Sequence, residues 1–148
     1  MLDTGLYTIQ SAAPGSSSTW LTLRYKSGPI TAEKWTGADN QKWFVRYTGQ
    51  GWCTIENQMW SSSLGTPIYA YADAKLGAFA KGDDISVTWE TRAVPVPVPV
   101  LGEENCRRYT ITRYQGPDVW TFEEDCIRVQ RTDPRDLRQQ FHIQLVKP

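Results

Sequence analysis

The sequence predicts one all-β domain made of three similar units, each with four strands. Four short landmarks recur in the same order three times along the 148 residues. They alternate apolar and polar residues and are rich in β-branched and aromatic types, which is typical of half-buried strands. Gly, Pro, Ser, Asn and Asp fill the segments between them, and no stretch keeps a helical period over three turns. A chain of this length fits a single domain.

The first landmark of each unit is a strand-like triplet, and the last is a large aromatic residue. The triplets are Tyr7-Thr8-Ile9, Cys53-Thr54-Ile55 and Tyr109-Thr110-Ile111, and the aromatics are Trp43, Trp89 and Phe141. We therefore expect a pseudo-threefold axis that superposes the three isoleucines on one another and the three aromatics on one another.

Two further segments lie between the triplet and the aromatic of each unit. Segments 19–23, 59–62 and 119–122 carry a tryptophan and are predicted as second strands; segments 29–32, 67–70 and 126–129 are predicted as third strands. The fourth strands are predicted at 41–45, 85–89 and 139–143. Three such units describe a β-trefoil, in which six strands close a short barrel and six cap it as hairpins.

The repeats are predicted at about 5–48, 49–92 and 105–148, with the Val/Pro-rich stretch 93–104 as an insertion. Cys53 stands where the other triplets have Tyr, so it is predicted as a core residue. The Ala-rich stretch 70–81 is predicted as a loop with about one turn, because Gly77 interrupts it. The predicted inward residues are Ile9, Leu21, Leu23, Ile30, Trp43, Ile55, Ile68, Trp89, Ile111, Ile127, Phe141 and Ile143.

Composition excludes several classes of function. Lys plus Arg and Asp plus Glu both number 16, so the balanced charge favours neither nucleic acid nor an anionic membrane as a partner. No apolar stretch is long enough to span a bilayer, and the N-terminus lacks the features of a secretory signal, so we expect a cytoplasmic protein. Three cysteines and one histidine are too few for the usual metal sites, and we expect no cofactor and no metal.

The titratable residues do not predict an enzyme. His142 lies between Phe141 and Ile143, so alternation points it towards solvent if those two face the core. The acidic clusters fall in predicted turns, where charge keeps loops solvated. Cys106 and Cys126 belong to one unit, and the sequence leaves open whether they pair.

Two basic loops are the candidates for binding, because rigid closed scaffolds place binding residues on loops. The first joins the second and third strands of unit one and contains Arg24, Tyr25, Lys26, Ser27 and Gly28, followed by Pro29. The second joins the last two strands and contains Arg131, Asp133, Pro134 and Arg135. A solvated turn is the alternative interpretation of each loop.

Short motifs along nearly the whole chain carry a family resemblance. They are Gly5-Leu6-Tyr7-Thr8-Ile9, Leu21-Thr22-Leu23 with its basic loop and Pro29-Ile30-Thr31, Gln41-Lys42-Trp43, and Phe141-His142-Ile143. They resemble the small fungal β-trefoil proteins, in particular the mushroom serine-protease inhibitors of the cospin and cnispin type. The resemblance implies a partner protease of the trypsin type, blocked by a surface loop with a basic P1 residue. Lys26 is then the expected P1 residue, and the loop containing Arg135 is the alternative.

The competing relative is the ricin-B-like lectin, also a β-trefoil, which would bind glycans. Its Gln-x-Trp motif fits once, in Asn40-Gln41-Lys42-Trp43, and is degenerate in the other two units. The resemblance then implies a sugar site that includes Trp35, Asp39 and Asn40. A third relative, the mycocypin type of cysteine-protease inhibitor, uses an asparagine-bearing loop against legumain-like enzymes, and Asn57 is the residue that would serve it here.

Overall fold

In the computed structural model, which describes residues 2–15, 19–95 and 108–146, the chain forms a β-trefoil with three four-stranded units. The first unit contains β1 (Gly5–Ser11), β2 (Trp20–Leu23), β3 (Ile30–Glu33) and β4 (Trp43–Tyr47). The second contains β5 (Trp52–Asn57), β6 (Tyr69–Tyr71), β7 (Lys81–Asp83) and β8 (Trp89–Ala93). The third contains β9 (Arg108–Arg113), β10 (Asp118–Glu123), β11 (Cys126–Arg131) and β12 (Phe141–Leu145).

The first and fourth strands of the units close a six-stranded barrel. Antiparallel pairing runs from β1 to β4, β5, β8, β9 and β12, and returns from β12 to β1. In each unit the closing aromatic pairs with the first residue of the triplet. These pairs are Tyr7 with Trp43, Cys53 with Trp89, and Tyr109 with Phe141. The same register in all three units confirms the pseudo-threefold symmetry.

The second and third strands form three hairpins that cap one end of the barrel. The hairpins contact one another through single bridges between Pro29 and Lys81, Phe79 and Arg128, and Thr31 and Cys126. The Ala32 N–H also donates to the Asp125 carbonyl at 2.8 Å. Residues far apart in the sequence therefore lie side by side on the cap.

The core fills the barrel and extends under the cap. All twelve residues predicted to face inward are buried, and so is Cys53. The core also contains Trp120, whose ring makes edge contacts with Trp89 at 5.4 Å and with Phe141 at 6.3 Å between centroids. Burial of these large rings supplies much of the apolar area that stabilises a fold of this size.

The second strand of unit two is not where the sequence predicted it. Segment 59–62 belongs to a helix, α1 (Gln58–Leu64), because the Asn57 side chain caps its first turn by accepting from the Trp60 N–H at 3.4 Å. Gly65, with φ of 65°, ends the helix in the left-handed conformation. The real second strand is β6, which occupies part of the segment predicted as the third strand.

The fourth strands start at the closing aromatics rather than ahead of them. Gln41 and Gln139 lie in single turns of 3₁₀ helix, Asp39–Gln41 and Leu137–Gln139. Their buried side chains donate hydrogen bonds to the Lys34 and Arg131 carbonyls, and the two residues do not pair as part of a strand. Residues 85–88 of the predicted strand 85–89 lie in the connection that precedes β8, and Ile85 is 57% exposed. The alternation of residues 85–88 therefore indicated a strand that does not form.

Part of the third-unit prediction lies outside the described residues. The insertion predicted at 93–104 is described only as far as Pro95, and the Val94 N–H donates to the Arg108 carbonyl at 2.8 Å. Cys106 also lies outside this part of the chain, so its pairing with Cys126 stays open. Among the described residues, no helix has the length and apolar character needed to cross a membrane.

Candidate functional site

The loop between β2 and β3 is tightly fixed to the second unit. The Gly28 N–H donates to the Tyr25 carbonyl at 3.0 Å, and the Gly28 carbonyl accepts from the Gly82 N–H at 3.1 Å. A Cβ atom on Gly82 would lie 2.2 Å from the Lys26 carbonyl oxygen, so only glycine permits this approach. The Trp60 indole N–H donates to the Leu23 carbonyl at 2.7 Å. The loop is therefore held at its base and along its inner side.

The predicted protease-binding residues Arg24, Tyr25, Lys26 and Ser27 are all exposed, but Arg24 is engaged in an ion pair. Tyr25 is 64% exposed, and Lys26 and Ser27 are also exposed at the tip, before the turn that ends at Gly28. Arg24 instead pairs with the carboxylate of Glu33 on the neighbouring strand. The tip of the loop thus presents Tyr25 and Lys26, while Arg24 is engaged beside β3.

The second basic loop is anchored by Gln139. The Gln139 side chain accepts from the Asp133 N–H at 2.7 Å and donates to the Arg131 carbonyl at 2.8 Å. The Asp133 carboxylate accepts from the Arg135 N–H at 3.1 Å, which closes a turn around Pro134. Arg131, Asp133, Pro134 and Arg135 are all exposed, so this loop is ordered at its base and solvated at its tip.

The Gln-x-Trp corner of unit one forms the floor of an open groove of about 580 Å³, called here the polar groove. The residues important here are Thr22, Arg24, Glu33, Thr36, Asn40 and Asp125. The buried Gln41 side chain accepts from the Thr36 N–H at 2.8 Å and donates to the Thr22 hydroxyl at 3.1 Å. Gln41 therefore holds the walls of the groove together, and the exposed polar groups belong to its neighbours.

Asn40 is the one groove residue with an orphaned buried side-chain atom among the described residues. Its side-chain Oδ1 is buried without a hydrogen-bond partner. Its main-chain carbonyl accepts from the Asn57 Nδ2 at 3.0 Å, which fixes the backbone. Leaving such an acceptor unsatisfied costs roughly 1–3 kcal/mol.

Asn57 does not lie on an accessible loop. Its side chain is fully buried at the end of β5, where it caps α1 and donates to the Asn40 carbonyl. Because a residue that blocks a legumain-like enzyme has to enter the enzyme's active site, the prediction that Asn57 serves this role is wrong. Its function is to connect the second unit to the polar groove.

A second groove, of about 280 Å³, is called here the tryptophan groove. It is lined by Thr8, Trp20, Trp35, Gln144, Leu145 and Val146. The Trp20 and Trp35 rings pack at 5.4 Å between centroids with a tilt of 53°. Lys34 and Thr36 line the polar groove, whereas Trp35 between them lines the tryptophan groove.

The three residues predicted for sugar binding therefore separate. Asn40 lines the polar groove and Trp35 lines the tryptophan groove. Asp39 lines neither groove, and its carboxylate accepts from the Lys42 ammonium at 3.2 Å. Asn40 and Trp35 therefore line different grooves, and Asp39 lines neither of the two.

Sequence reasoning missed the acidic side chains of the polar groove. Glu33 lies at the end of β3, and Asp125 comes from the turn between β10 and β11. Glu124 and Asp125 adopt positive φ of 51° and 63°, which a tight two-residue hairpin requires. The cap contact between the first and third units brings Asp125 into the groove, and nothing local to unit one indicates it.

The corresponding corner of unit three is built alike but carries charge pairs. Gln139 donates to the Thr121 hydroxyl at 3.2 Å, as Gln41 does to Thr22. In this correspondence Glu123 takes the place of Arg24, and its carboxylate lies 3.7 Å from both Arg128 and Arg138. Unit two has Val87 instead of the glutamine. The three corners therefore differ in the side chains that surround them.

His142 is partly shielded from solvent. It is half-buried on β12, and burial together with the positive charge of Arg108 lowers its pKa below the usual value. Alternation correctly placed its neighbours Phe141 and Ile143 in the core.

Comparison with known proteins identifies the fold. No family model matches the chain, and no curated protein matches it in sequence. Among solved structures, the Macrolepiota procera ricin B-like lectin in complex with lactose is similar, with a TM-score of 0.69 at 16% identity over 99% of each chain. The Rhizoctonia solani agglutinin has a TM-score of 0.69 at 19% identity, covering 99% of this chain and 98% of its own. The designed threefold-symmetric protein ThreeFoil has a TM-score of 0.67 at 17% identity, covering 96% of this chain and 99% of its own.

Proposed function

We propose that this protein binds carbohydrate and that the polar groove of unit one is the binding site. The observation that carries the proposal is the open polar groove at the Gln-x-Trp corner, which the Asn40 side chain helps to line. The hydrogen bond from Asn57 to the Asn40 carbonyl fixes the backbone at this point. The Asn40 amide can donate a hydrogen bond to a sugar hydroxyl.

The other polar groups of the groove suit the same class of ligand. The Glu33 carboxylate accepts hydrogen bonds, the Arg24 guanidinium donates them, and the Thr22 and Thr36 hydroxyls do both. An acceptor and a donor that are held in fixed positions can form hydrogen bonds with two adjacent sugar hydroxyls. The ion pair between Arg24 and Glu33 provides such a pair, since each holds the other in place.

The fold comparison supports this proposal over protease inhibition. The Macrolepiota lectin was solved with lactose, and the Rhizoctonia protein is an agglutinin. At 16–19% identity these similarities concern the fold, so the ligand of this chain has to be determined by experiment.

A glycan array with matched variants tests the proposal. The wild-type chain should bind a subset of the glycans, and Asn40→Ala should weaken that binding roughly tenfold or more, equivalent to about 1.4 kcal/mol. The main-chain bond from Asn57 does not depend on the Asn40 side chain, so the fold should be retained. Asp39→Ala is the control, because Asp39 is adjacent in sequence but lines neither groove. Absence of glycan binding by the wild-type chain would refute the proposal.

A second candidate function is inhibition of a trypsin-like serine protease through Lys26. The observation that favours it is the restraint on the β2–β3 loop, since a loop held by Gly82 and Trp60 loses little entropy on docking. Lys26 is exposed at its tip, and a long cation can pair with the aspartate at the base of a trypsin specificity pocket.

Trypsin inhibition assays distinguish this candidate from glycan binding. If it is correct, Lys26→Ala should weaken inhibition by about 30- to 1000-fold, equivalent to roughly 2–4 kcal/mol, while Lys26→Arg should be nearly neutral. Arg135→Ala tests the loop between β11 and β12 in the same assay. Loss of inhibition in Arg135→Ala alone would place the contact on that loop, and no inhibition by the wild-type chain would remove this candidate.

A further inference from the structure

We propose that Asn57 of unit two is a positioning residue for the polar groove of unit one, and that it sets the affinity of the groove for glycan by holding Asn40. This inference rests on the proposed function and concerns the geometry of the same site. Asn57 is the last residue of β5 and is fully buried. Because it cannot contact a ligand itself, its effect on binding has to pass through the residue that it holds.

The turn that carries Asn40 has few hydrogen bonds of its own. The 3₁₀ turn Asp39–Gln41 contains three residues. Two backbone bonds close it, from the Gln41 N–H to the Ala38 carbonyl and from the Lys42 N–H to the Asp39 carbonyl, both at 3.1 Å. Ala38, which precedes the turn, provides no side-chain cap. A turn of this size therefore depends on contacts from outside for a fixed position.

Those outside contacts come from two units. From unit one, the buried Gln41 side chain bonds the chain ahead of the turn. From unit two, the Asn57 Nδ2 donates to the Asn40 carbonyl at 3.0 Å, and the Gln58 N–H donates to the Lys42 carbonyl at 2.9 Å. The Asn57 bond is the one made to Asn40 itself, so it fixes the peptide group next to the side chain that lines the groove.

The junctions between the units share a backbone bond but differ in their side chains. The last residue of each first strand, Asn57, Ser11 or Arg113, pairs with the closing aromatic of another unit. In all three junctions the following residue donates a main-chain bond to the residue ahead of that aromatic. The Ser11 hydroxyl accepts from the Ala13 N–H at 3.1 Å, and the Arg113 guanidinium donates to the Ala72 carbonyl at 2.7 Å. Since three different side chains fit this position, the Asn57 side chain can be changed with the barrel intact.

The two polar atoms of the Asn57 side chain have different partners. The Oδ1 accepts from the Trp60 N–H at 3.4 Å and caps α1, while the Nδ2 donates to Asn40. Serine and aspartate also cap helices well. A serine hydroxyl is too short to reach the Asn40 carbonyl, and a carboxylate accepts hydrogen bonds but donates none. Either substitution removes the donor and keeps the cap, so the effects on the helix and on the groove can be separated.

The test measures the glycan affinity of Asn57→Ser by calorimetric titration with the glycan that the array selects. Affinity should fall roughly tenfold relative to wild type, because a less constrained Asn40 has to be ordered when the ligand binds. In the free variant, the Gln41 and Lys42 amides should exchange with solvent faster than in wild type, as measured by NMR.

Gly65→Ala is the matched control for a loss of stability. Gly65 ends α1 with φ of 65°, a conformation that alanine adopts only with strain, and an added Cβ would meet nothing within 4 Å. This variant should unfold at lower urea concentration than wild type and bind glycan with unchanged affinity. Equal losses of affinity in Gly65→Ala and Asn57→Ser would show that Asn57 acts through stability alone and would overturn the inference.

Asn57→Asp adds a pH profile that a purely structural role would not produce. At neutral pH the introduced carboxylate faces the Asn40 carbonyl oxygen without a proton to donate, so affinity should fall at least as far as in Asn57→Ser. Burial raises the pKa of such a carboxyl above its usual value of about 3.9, so that at about pH 5 its protonated form is present and can donate. The ratio of the Asn57→Asp affinity to the wild-type affinity should therefore rise as the pH falls from about 8 to about 5.

The ratio is used because other groups near the corner titrate or carry charge in both proteins alike. They are Arg24, Glu33, Lys34, Asp39, Lys42, Glu56 and Asp125. Their effects on affinity are common to the two titrations, so a change in the ratio reports on residue 57.

The outcomes separate this inference from the proposed function. If Asn40→Ala weakens glycan binding but Asn57→Ser binds as tightly as wild type, the groove binds sugar without the Asn57 bond and the inference is overturned. A ratio that stays constant between the two pH values would also overturn it, since the donor would then be irrelevant. Absence of glycan binding by the wild-type chain refutes the proposed function and this inference with it.

Discussion

At the scale of single residues, the closing aromatics of two units donate hydrogen bonds to backbone carbonyls of the second strands, and these bonds show which core positions correspond between the units. The Trp43 indole donates to the Leu21 carbonyl and the Trp89 indole to the Ala70 carbonyl, each at 3.0 Å. Phe141 has no N–H to make the corresponding bond. The second-strand positions that correspond to one another hold Leu21 in unit one and Ala70 in unit two. In unit three the position is Trp120, because Gln139 bonds the next residue, Thr121, as Gln41 bonds Thr22 after Leu21. A small, a medium and a large side chain thus share one core, as dense packing requires.

Gln41 and Gln139 should stabilise the fold to a similar degree, because they make equivalent buried hydrogen bonds. Gln41→Ala leaves the Thr36 N–H and the Lys34 carbonyl without their partner, and should cost about 2–3 kcal/mol. Gln139→Ala should cost about the same. Urea denaturation measures both, with the exposed Gln50→Ala as a control expected to stay within about 0.5 kcal/mol. A Gln41 variant as stable as the control would show that the corner is not held by this side chain.

Cys53 should be unreactive in the folded protein. It is fully buried on β5, and burial raises the pKa of its thiol to about 12, so almost no thiolate is present at pH 8. In the Cys106→Ser, Cys126→Ser double variant, a thiol reagent should label Cys53 only after denaturant is added. Labelling of the native chain at the unfolded rate would contradict its position in the core.

At the scale of secondary-structure elements, the second unit departs most from the repeat. It inserts α1 after β5, and its β6 and β7 contain only three residues each. The tryptophan in segment 59–62 suggested a strand, yet Trp60 reaches out of α1 to bond the Leu23 carbonyl of unit one. Local pattern could not separate these alternatives, because the hydrogen bond that determines the role of Trp60 is made to a distant residue.

Gly82 should be required for the contact between β7 and the β2–β3 loop. In Gly82→Ala the added Cβ would lie 2.2 Å from the Lys26 carbonyl oxygen and 2.7 Å from the Leu23 side chain. Relieving that overlap should cost about 1–3 kcal/mol. Gly5→Ala is the matched control, since its Cβ would meet a flexible Leu145 methyl at 3.3 Å, and thermal unfolding should show a smaller loss. Equal stability of the two variants would show that the loop does not depend on this close approach.

At the scale of the whole molecule, the fold was predictable from the sequence and the site was only partly predictable. Recurring triplets and aromatics predict the barrel because each repeat has to place the same groups at the same barrel positions. The grooves depend on contacts between units and between the two ends of the chain. Asp125 reaches the polar groove from unit three, and Thr8 and Gln144 meet in the tryptophan groove because β1 pairs with β12. Neither arrangement leaves a local pattern in the sequence.

The central claim, that the polar groove of unit one binds sugar, is tested most directly by an NMR titration with the preferred glycan from the array. In ¹H–¹⁵N spectra, we expect the Asn40 side-chain amide and the backbone amides of Glu33 and Thr36 to shift with ligand concentration. The Trp52 indole and the Lys26 amide should stay unchanged. Shifts centred on the Lys26 loop or on Trp52, with the Asn40 signals unaffected, would contradict the account.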